Sequence, residues 1–286
     1  MPSAIAFWDA RHGLLAARPC RYPGGCAAGT ISRTGDGGRT FRVVLHTRRE
    51  VLALQTAGPG AAIAELEGGR ALRTLDRGRS WRPFRLRFHA GFATPRVGLG
   101  FSRTLAGGHL VLTLRATSDG GRSWHARASP CRQAVANSAL VDLVTPRLGW
   151  LVCLGEPGAG NQQKAVFRTR DGGRSWQAGA EAVAYPRPRF HGGISGYGYP
   201  YGIAFARDGF GILWEGRGTV YVTRTGGRRW TAEPNVARPE LDFGRGAAAF
   251  PGGRALLLLG RGGGPPTRLL ATSDHARTWQ TVHRWR

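Results

Sequence analysis

Five of the nine aspartates in the chain, Asp36, Asp76, Asp119, Asp171 and Asp274, share one setting. Each follows a threonine by two residues and precedes a serine or threonine by four, with an aromatic next. Thr117-Ser118-Asp119-Gly120-Gly121-Arg122-Ser123-Trp124 and Thr169-Arg170-Asp171-Gly172-Gly173-Arg174-Ser175-Trp176 are the clearest copies. A carboxylate so placed can accept backbone N–H bonds across a tight turn, and glycines supply positive φ at no steric cost. The acids are thus accounted for without a reaction. A glycosidase needs two carboxylates facing each other across a sugar. Outside the turns, Glu156, Glu181, Glu215, Glu233 and Glu240 are the candidates, and none lies in a recognisable pattern.

Other catalytic templates fail as well. There is no G-x-S-x-G nucleophile motif. Lys164, the only lysine, lacks the preceding glycines of a phosphate-binding loop. The eight histidines are scattered, and no His–Cys spacing suits zinc. No catalytic residue, metal or cofactor is expected.

One stretch has the chemistry of a binding surface. Over residues 184–201, Arg187 and Arg189 alternate with prolines, and Tyr197, Tyr199 and Tyr201 alternate with Gly198 and Pro200. Aromatics beside arginine suit a protein, glycan or anionic ligand, and long loops on rigid scaffolds are frequent binding sites. The competing reading is a long connection whose aromatics pack on the body of the fold.

The four cysteines, Cys20, Cys26, Cys131 and Cys153, allow three pairings. The favoured one joins Cys20 to Cys26, closing a short loop, and Cys131 to Cys153. Two bridges imply an oxidising, extracytoplasmic location; four buried thiols in a cytoplasmic protein are the alternative.

The elements that must carry these residues follow from the spacing of the octapeptide. Three degenerate copies retain its frame: Thr74–Trp81, Thr34–Phe41 with phenylalanine closing, and Thr223–Trp230 with Thr225 in place of the acid. Thr272–Trp279 has lost both glycines. The closing aromatics Phe41, Trp81, Trp124, Trp176, Trp230 and Trp279 lie about 40 to 54 residues apart, the length of a propeller blade. Each copy is preceded by a short apolar strand, a polar turn with glycine, and a second strand, as in residues 5–14, 140–150 and 203–212. A third strand leads into the turn and the tryptophan starts a fourth, where its apolar face can pack between blades. The expected fold is all-β: a propeller of four-stranded antiparallel blades at 1–48, 49–89, 90–130, 131–182, 183–235 and 236–286, forming a single domain over residues 1–286. The second blade is the poorest match. Ring closure would share no strand between first and last blades, and an upstream segment could supply one, or a seventh blade.

Composition agrees with an all-β chain: 45 glycines and nine tryptophans in 286 residues. The formal net charge of +24 favours polyanions, although a coding bias toward arginine competes as its source. No run approaches a membrane span, and the first residues show no signal peptide.

The repeated T-x-D-G-G-R-[ST]-W resembles the Asp-box of the BNR-repeat superfamily, from residue 34 to 279. That superfamily includes sialidases, sortilin-type receptors and the photosystem II stability/assembly factor family. The pairing of Phe7, Asp9 and Gly13 with a T-x-D-G-G turn most resembles the assembly-factor-like proteins. Resemblance to sialidases would also imply an Arg-Ile-Pro segment before the first box; Arg21-Tyr22-Pro23 occupies a comparable place without the isoleucine. The resemblance specifies a fold and says little of activity. The expected function is a monomeric, non-catalytic scaffold for a protein or peptide, extracytoplasmic or secreted. A sialidase-like glycosidase and a polyanion-binding protein are the alternatives.

Overall fold

The computed structural model describes residues 1–18, 28–86, 89–106, 109–185, 187–216, 218–234, 236, 242–261 and 264–285. They form six antiparallel sheets in chain order. Blade 1 holds β1 (Pro2–Phe7), β2 (Gly13–Ala17), β3 (Gly29–Thr34) and β4 (Arg42–Thr47). Blade 2 holds β5 (Val51–Thr56), β6 (Ala62–Leu66), β7 (Arg70–Thr74) and β8 (Arg82–Phe84). Blade 3 holds β9 (His89–Phe92), β10 (Gly98–Ala106), β11 (His109–Thr117) and β12 (His125–Arg127). Blade 4 holds β13 (Ser138–Leu143), β14 (Gly149–Leu154), β15 (Lys164–Thr169), β16 (Gln177–Val183) and a fifth strand, β17 (Arg189–His191). Blade 5 holds β18 (Pro200–Phe205), β19 (Gly211–Glu215), β20 (Val220–Thr223) and β21 (Thr231–Ala232); blade 6 holds β22 (Asp242–Phe250), β23 (Arg254–Arg261), β24 (Gly264–Thr272) and β25 (Gln280–Trp285).

The first strand of each blade lies innermost, and these strands neighbour one another in a ring, with β1 between β5 and β22. The chain is a six-bladed β-propeller. Among the described residues blades 1 and 6 share no strand. They close by packing, with Ile5, Phe7 and Leu15 against Phe250, Leu258 and Leu269.

The octapeptide turns behave alike. In each of the five acidic copies the threonine hydroxyl donates to the aspartate, at 2.7–2.8 Å, and accepts the N–H four residues on, at 2.8–3.1 Å. The aspartate then accepts both the N–H and the hydroxyl of the following Ser or Thr, the hydroxyl at 2.5–2.6 Å. Those hydroxyls first, then the N–H groups, hold all five carboxyls well below the usual range. Thr225 substitutes in the fifth blade by accepting the Arg229 N–H at 2.8 Å. Where glycine is missing, Arg77, His275 and Ala276 carry φ of 60°, 61° and 64°, a conformation that side chains disfavour.

The closing aromatics explain how neighbouring sheets become one body. Each of the six inter-blade cores contains the aromatic of the later blade: Trp81, Trp124, Trp176, Trp230, Trp279 and, at the closure, Phe41. The second glycine of the turn lies against the preceding blade, so that a Cβ on Gly78 would stand 2.9 Å from Leu14 and one on Gly173 3.0 Å from Leu99.

Two local expectations change. The fifth blade was expected from residue 183; β17 instead pairs with β16, because the long connection turns back along the edge of blade 4 before crossing. The poorly matched second blade has an ordinary inner hairpin, closed by Ala57 N–H to the Ala61 carbonyl at 2.9 Å.

Candidate functional site

The ring of inner strands surrounds a cavity of about 1050 Å³. The octapeptide turns join the third and fourth strands of each blade, on the face where the inner strands end. The opposite face, where the inner strands begin, carries the connections between blades. There the mouth is lined by Leu52, Tyr201, Trp214, Phe243, Arg245 and Arg261. Leu52 and Tyr201 are more than half exposed, at 55% and 57%.

Arg245 projects from a bulge in β22 between Gly244 and Gly246. Its guanidinium lies over Gly260, where a Cβ would collide with it. Its Nε is buried and meets no acceptor among the described residues. Burial, and then the Arg18 charge, lower its pKa. Arg18 is itself paired with Glu50 at 2.5 Å. Among the described residues neither Arg245 nor Arg261 has a carboxylate partner, whereas Arg268 is held by Asp242 at 2.7 Å. A buried N–H without an acceptor is costly, so this mouth favours an anion.

Gln55 and Asp142 are among the side chains of the channel wall that tie adjacent blades. Gln55 on β5 donates to the Ala90 carbonyl at 2.8 Å and accepts the Phe92 N–H at 3.1 Å. Asp142 on β13 accepts the Phe205 N–H at 2.6 Å. Burial pushes the Asp142 carboxyl up to about 7, against the pull of that bond. The cavity's other carboxylate is Asp9, which accepts the Arg11 and His12 N–H groups at 2.8 Å in a turn.

The five residues anticipated as a binding surface are not brought together. Arg187 is exposed, but Arg189, on the outermost strand of blade 4, is paired with Glu181 at 2.9 Å. Tyr197 is exposed; the Tyr199 hydroxyl accepts the Gly160 N–H at 2.7 Å, packing the connection down. Tyr201 alone reaches the channel. The Tyr-Gly-Tyr alternation has a structural cause: Gly198, at φ 81°, lies where a Cβ would strike the Glu215 carboxylate.

That carboxylate belongs to a feature the sequence reading passed over. Lys164 and Glu215 form a fully buried ion pair at 2.7 Å between blades 4 and 5. Lys164 Nζ also donates to the carbonyls of Ser195 and Tyr197, at 2.7 and 2.6 Å, pinning residues 195–197 across the junction. Burial draws the lysine down and pushes the glutamate up, each opposed by its partner. The available signal was the single lysine in a chain rich in arginine. Of the remaining glutamates, Glu233 lies 3.8 Å from Arg224, Glu156 is exposed, and Glu240 lies outside the described residues.

Cys131 and Cys153 form a disulfide, with Cα atoms 5.4 Å apart. The proposed Cys20–Cys26 pair and the Arg21-Tyr22-Pro23 segment lie outside the described residues. No group of metal-ligating side chains occurs among the described residues, and no helix there is long and apolar enough to cross a membrane.

No family model matches the sequence, and no curated protein does. Solved structures do. The GH74 xyloglucanase from Xanthomonas campestris superposes with TM-score 0.54 at 19% identity, over 98% of this chain and 45% of that one. The GH93 α-L-arabinofuranosidase of Fusarium graminearum, in complex with arabinobiose, gives TM-score 0.50 at 12% identity, over 91% and 87%. YCF48 bound to a D1 peptide gives TM-score 0.47 at 18% identity, over 98% and 81%. At these identities the likeness is one of propeller fold.

Proposed function

We propose that this chain is an Asp-box propeller of the BNR type that acts as a non-catalytic scaffold, taking a carboxylate-bearing extended peptide at the mouth of its channel. The observation that carries this reading is Arg245, whose buried Nε has no acceptor among the described residues, at a mouth shared with Arg261, Trp214 and Tyr201. A guanidinium fork matches a carboxylate in geometry and charge. Tyr201 and Leu52, both more than half exposed, offer the apolar contact that an adjoining peptide side chain would cover, with Trp214 buried beneath them. The Cys131–Cys153 bridge supports a working place in an oxidising compartment outside the cytoplasm.

Fluorescence anisotropy with labelled acidic peptides, each with a free or an amidated C-terminus, tests this. Binding should be saturable and weaken roughly tenfold or more in Arg245→Met and in Arg261→Ala. Equal affinity of wild type and both variants would remove the reading. Turnover of fluorogenic glycosides would favour the glycosidase alternative. Peptide-independent retention on heparin that collapses steeply with salt would favour simple polyanion binding.

A further inference from the structure

A second basic site lies away from the channel, in the cleft between blades 4 and 5 on the face that carries the octapeptide turns. It is a small pocket of about 150 Å³ lined by Arg168, Arg170, Gln177 and Arg228, together with backbone of Gly179 and Gly226. Among the described residues no carboxylate lines it.

The three arginines arrive from different places. Arg168 is the penultimate residue of β15, where it pairs with Trp150 of β14 and Gln177 of β16. Arg170 belongs to the fourth turn and Arg228 to the fifth. The Arg168 guanidinium stands 5.2 Å from the Trp150 ring centroid. On another side it lies against Gly226, where a Cβ would be 3.0 Å from its terminal nitrogen. Its Nε is buried and unaccepted among the described residues. Trp150 cannot give way, since it is fully buried, stacked on Phe205 at 4.0 Å, and donates its indole N–H to the Gly226 carbonyl at 2.9 Å. The guanidinium therefore packs against two rigid surfaces, the Trp150 ring and the Gly226 backbone.

Another blade provides a comparison. Arg73 stands one residue before its turn threonine, as Arg168 does, and also lies over a ring, 5.0 Å from Phe84. Arg73 donates to the Pro95 carbonyl at 3.4 Å, and the residue matching Arg170 is Leu75. Only the junction of blades 4 and 5 gathers arginine at all three positions. Three like charges around one cleft repel one another, and burial followed by the charges of Arg170 and Arg228 draws Arg168 down. An anion of matching size would relieve all three.

We propose that this cleft is a binding site for one tetrahedral oxyanion, a phosphate or sulfate group, held by the guanidinium groups of Arg168, Arg170 and Arg228 with the Gln177 amide beside them. Its volume suits a single such group. The ligand is either the free ion or a phosphoryl or sulfuryl group carried on a partner. The site is independent of the channel mouth, and either can fail without the other.

Isothermal titration calorimetry on the full chain, at constant ionic strength set with chloride, tests this with inorganic phosphate, inorganic sulfate and O-phosphoserine. The variants are Arg170→Ala with Arg228→Ala, whose side chains are exposed and whose loss leaves the core intact, and Arg187→Ala with Arg207→Ala as an equal removal of charge elsewhere. Saturable binding of either inorganic ion, weakened tenfold or more in the first variant and unchanged in the second, is the expected result. Tighter binding of O-phosphoserine than of phosphate would assign the group to a partner, and equal or weaker binding to the free ion. Absence of saturation with all three probes, or equal weakening in both variants, would overturn the site. Arg168→Lys keeps the charge and loses the fork; it should also weaken binding, and unchanged affinity there would overturn the role given to Arg168.

Discussion

Asp142 does for Phe205 what Gln55 does for Phe92: each occupies the penultimate place of an inner strand and accepts the N–H of a phenylalanine on the next blade, at 2.6 and 3.1 Å. The amide of Gln55 is neutral at every pH. The carboxyl of Asp142 is neutral only while protonated, and burial favours that form.

A pH dependence follows from the raised Asp142 pKa, about 7 in the fold against roughly 3.9 in the unfolded chain. Between those values the folded state holds a proton that the unfolded state has released. Stability from this group therefore falls as pH rises through the window and levels off above it. Thermal melts at pH 5 and pH 8 should show Asp142→Asn losing less stability across that interval than wild type. Parallel changes in both proteins would refute this.

The turn aspartates act in the opposite sense. Their carboxyls are held below the ordinary value, so their contribution is complete above about pH 4 and is lost as pH falls toward the depressed values. Thr225→Asp installs a carboxylate in the one turn without it. Urea unfolding at pH 7 should show a gain of about 1 kcal/mol, from bonds to the turn N–H groups, that shrinks markedly by about pH 3. A gain that does not respond to acid would contradict this account.

Lys164→Met leaves the Glu215 carboxylate buried without its partner. Loss of one member of such a pair costs roughly 3–5 kcal/mol. Adding Glu215→Leu should recover most of the loss, because two apolar side chains need no counter-charge. Denaturant midpoints of the single and double variants measure this, and a double variant no more stable than the single one would count against it.

Blades 1 and 6 close the ring by side-chain packing, which makes Gly38 sensitive. Its φ is 90°, and a Cβ there would run into Leu269 of blade 6. Gly69, at φ 70°, has open space around it. Gly38→Ala should cost roughly 2–4 kcal/mol, from overpacking together with strain, and Gly69→Ala only about 1–2 kcal/mol from strain. Equal urea midpoints would mean that the closure is not tightly packed there.

Replacing both Cys131 and Cys153 with serine removes a link across 22 residues and should cost about 3 kcal/mol. In unreduced, denatured wild type these two thiols should not react. Full reactivity of both would remove the bridge and the support it lends to an extracytoplasmic location.

The six blades were legible in the sequence because the octapeptide is a local device. Threonine, aspartate, glycine and serine lie within eight residues, so their spacing alone dictates the turn, and its recurrence dictates the number of sheets. Cys131 and Cys153 could be paired because they enclose one hairpin. Arg189, Tyr199 and Tyr201 looked like one surface only because they are near in sequence. The chain crosses from the outer edge of blade 4 to the inner strand of blade 5 between them, and that path separates them.

The residues that carry the proposed sites had no such signal. Arg245 and Arg261 stand 16 residues apart in a glycine- and leucine-rich run, and Tyr201 lies further off still. Arg168, Arg170 and Arg228 are three among many arginines. Spacing along the chain determined the turns, the strands and their order. Closure of the ring decided which arginines lost their solvent, which found an acceptor, and which were left facing a cavity. Burial of a charge depends on what arrives from distant blades, and no local pattern of residues encodes it.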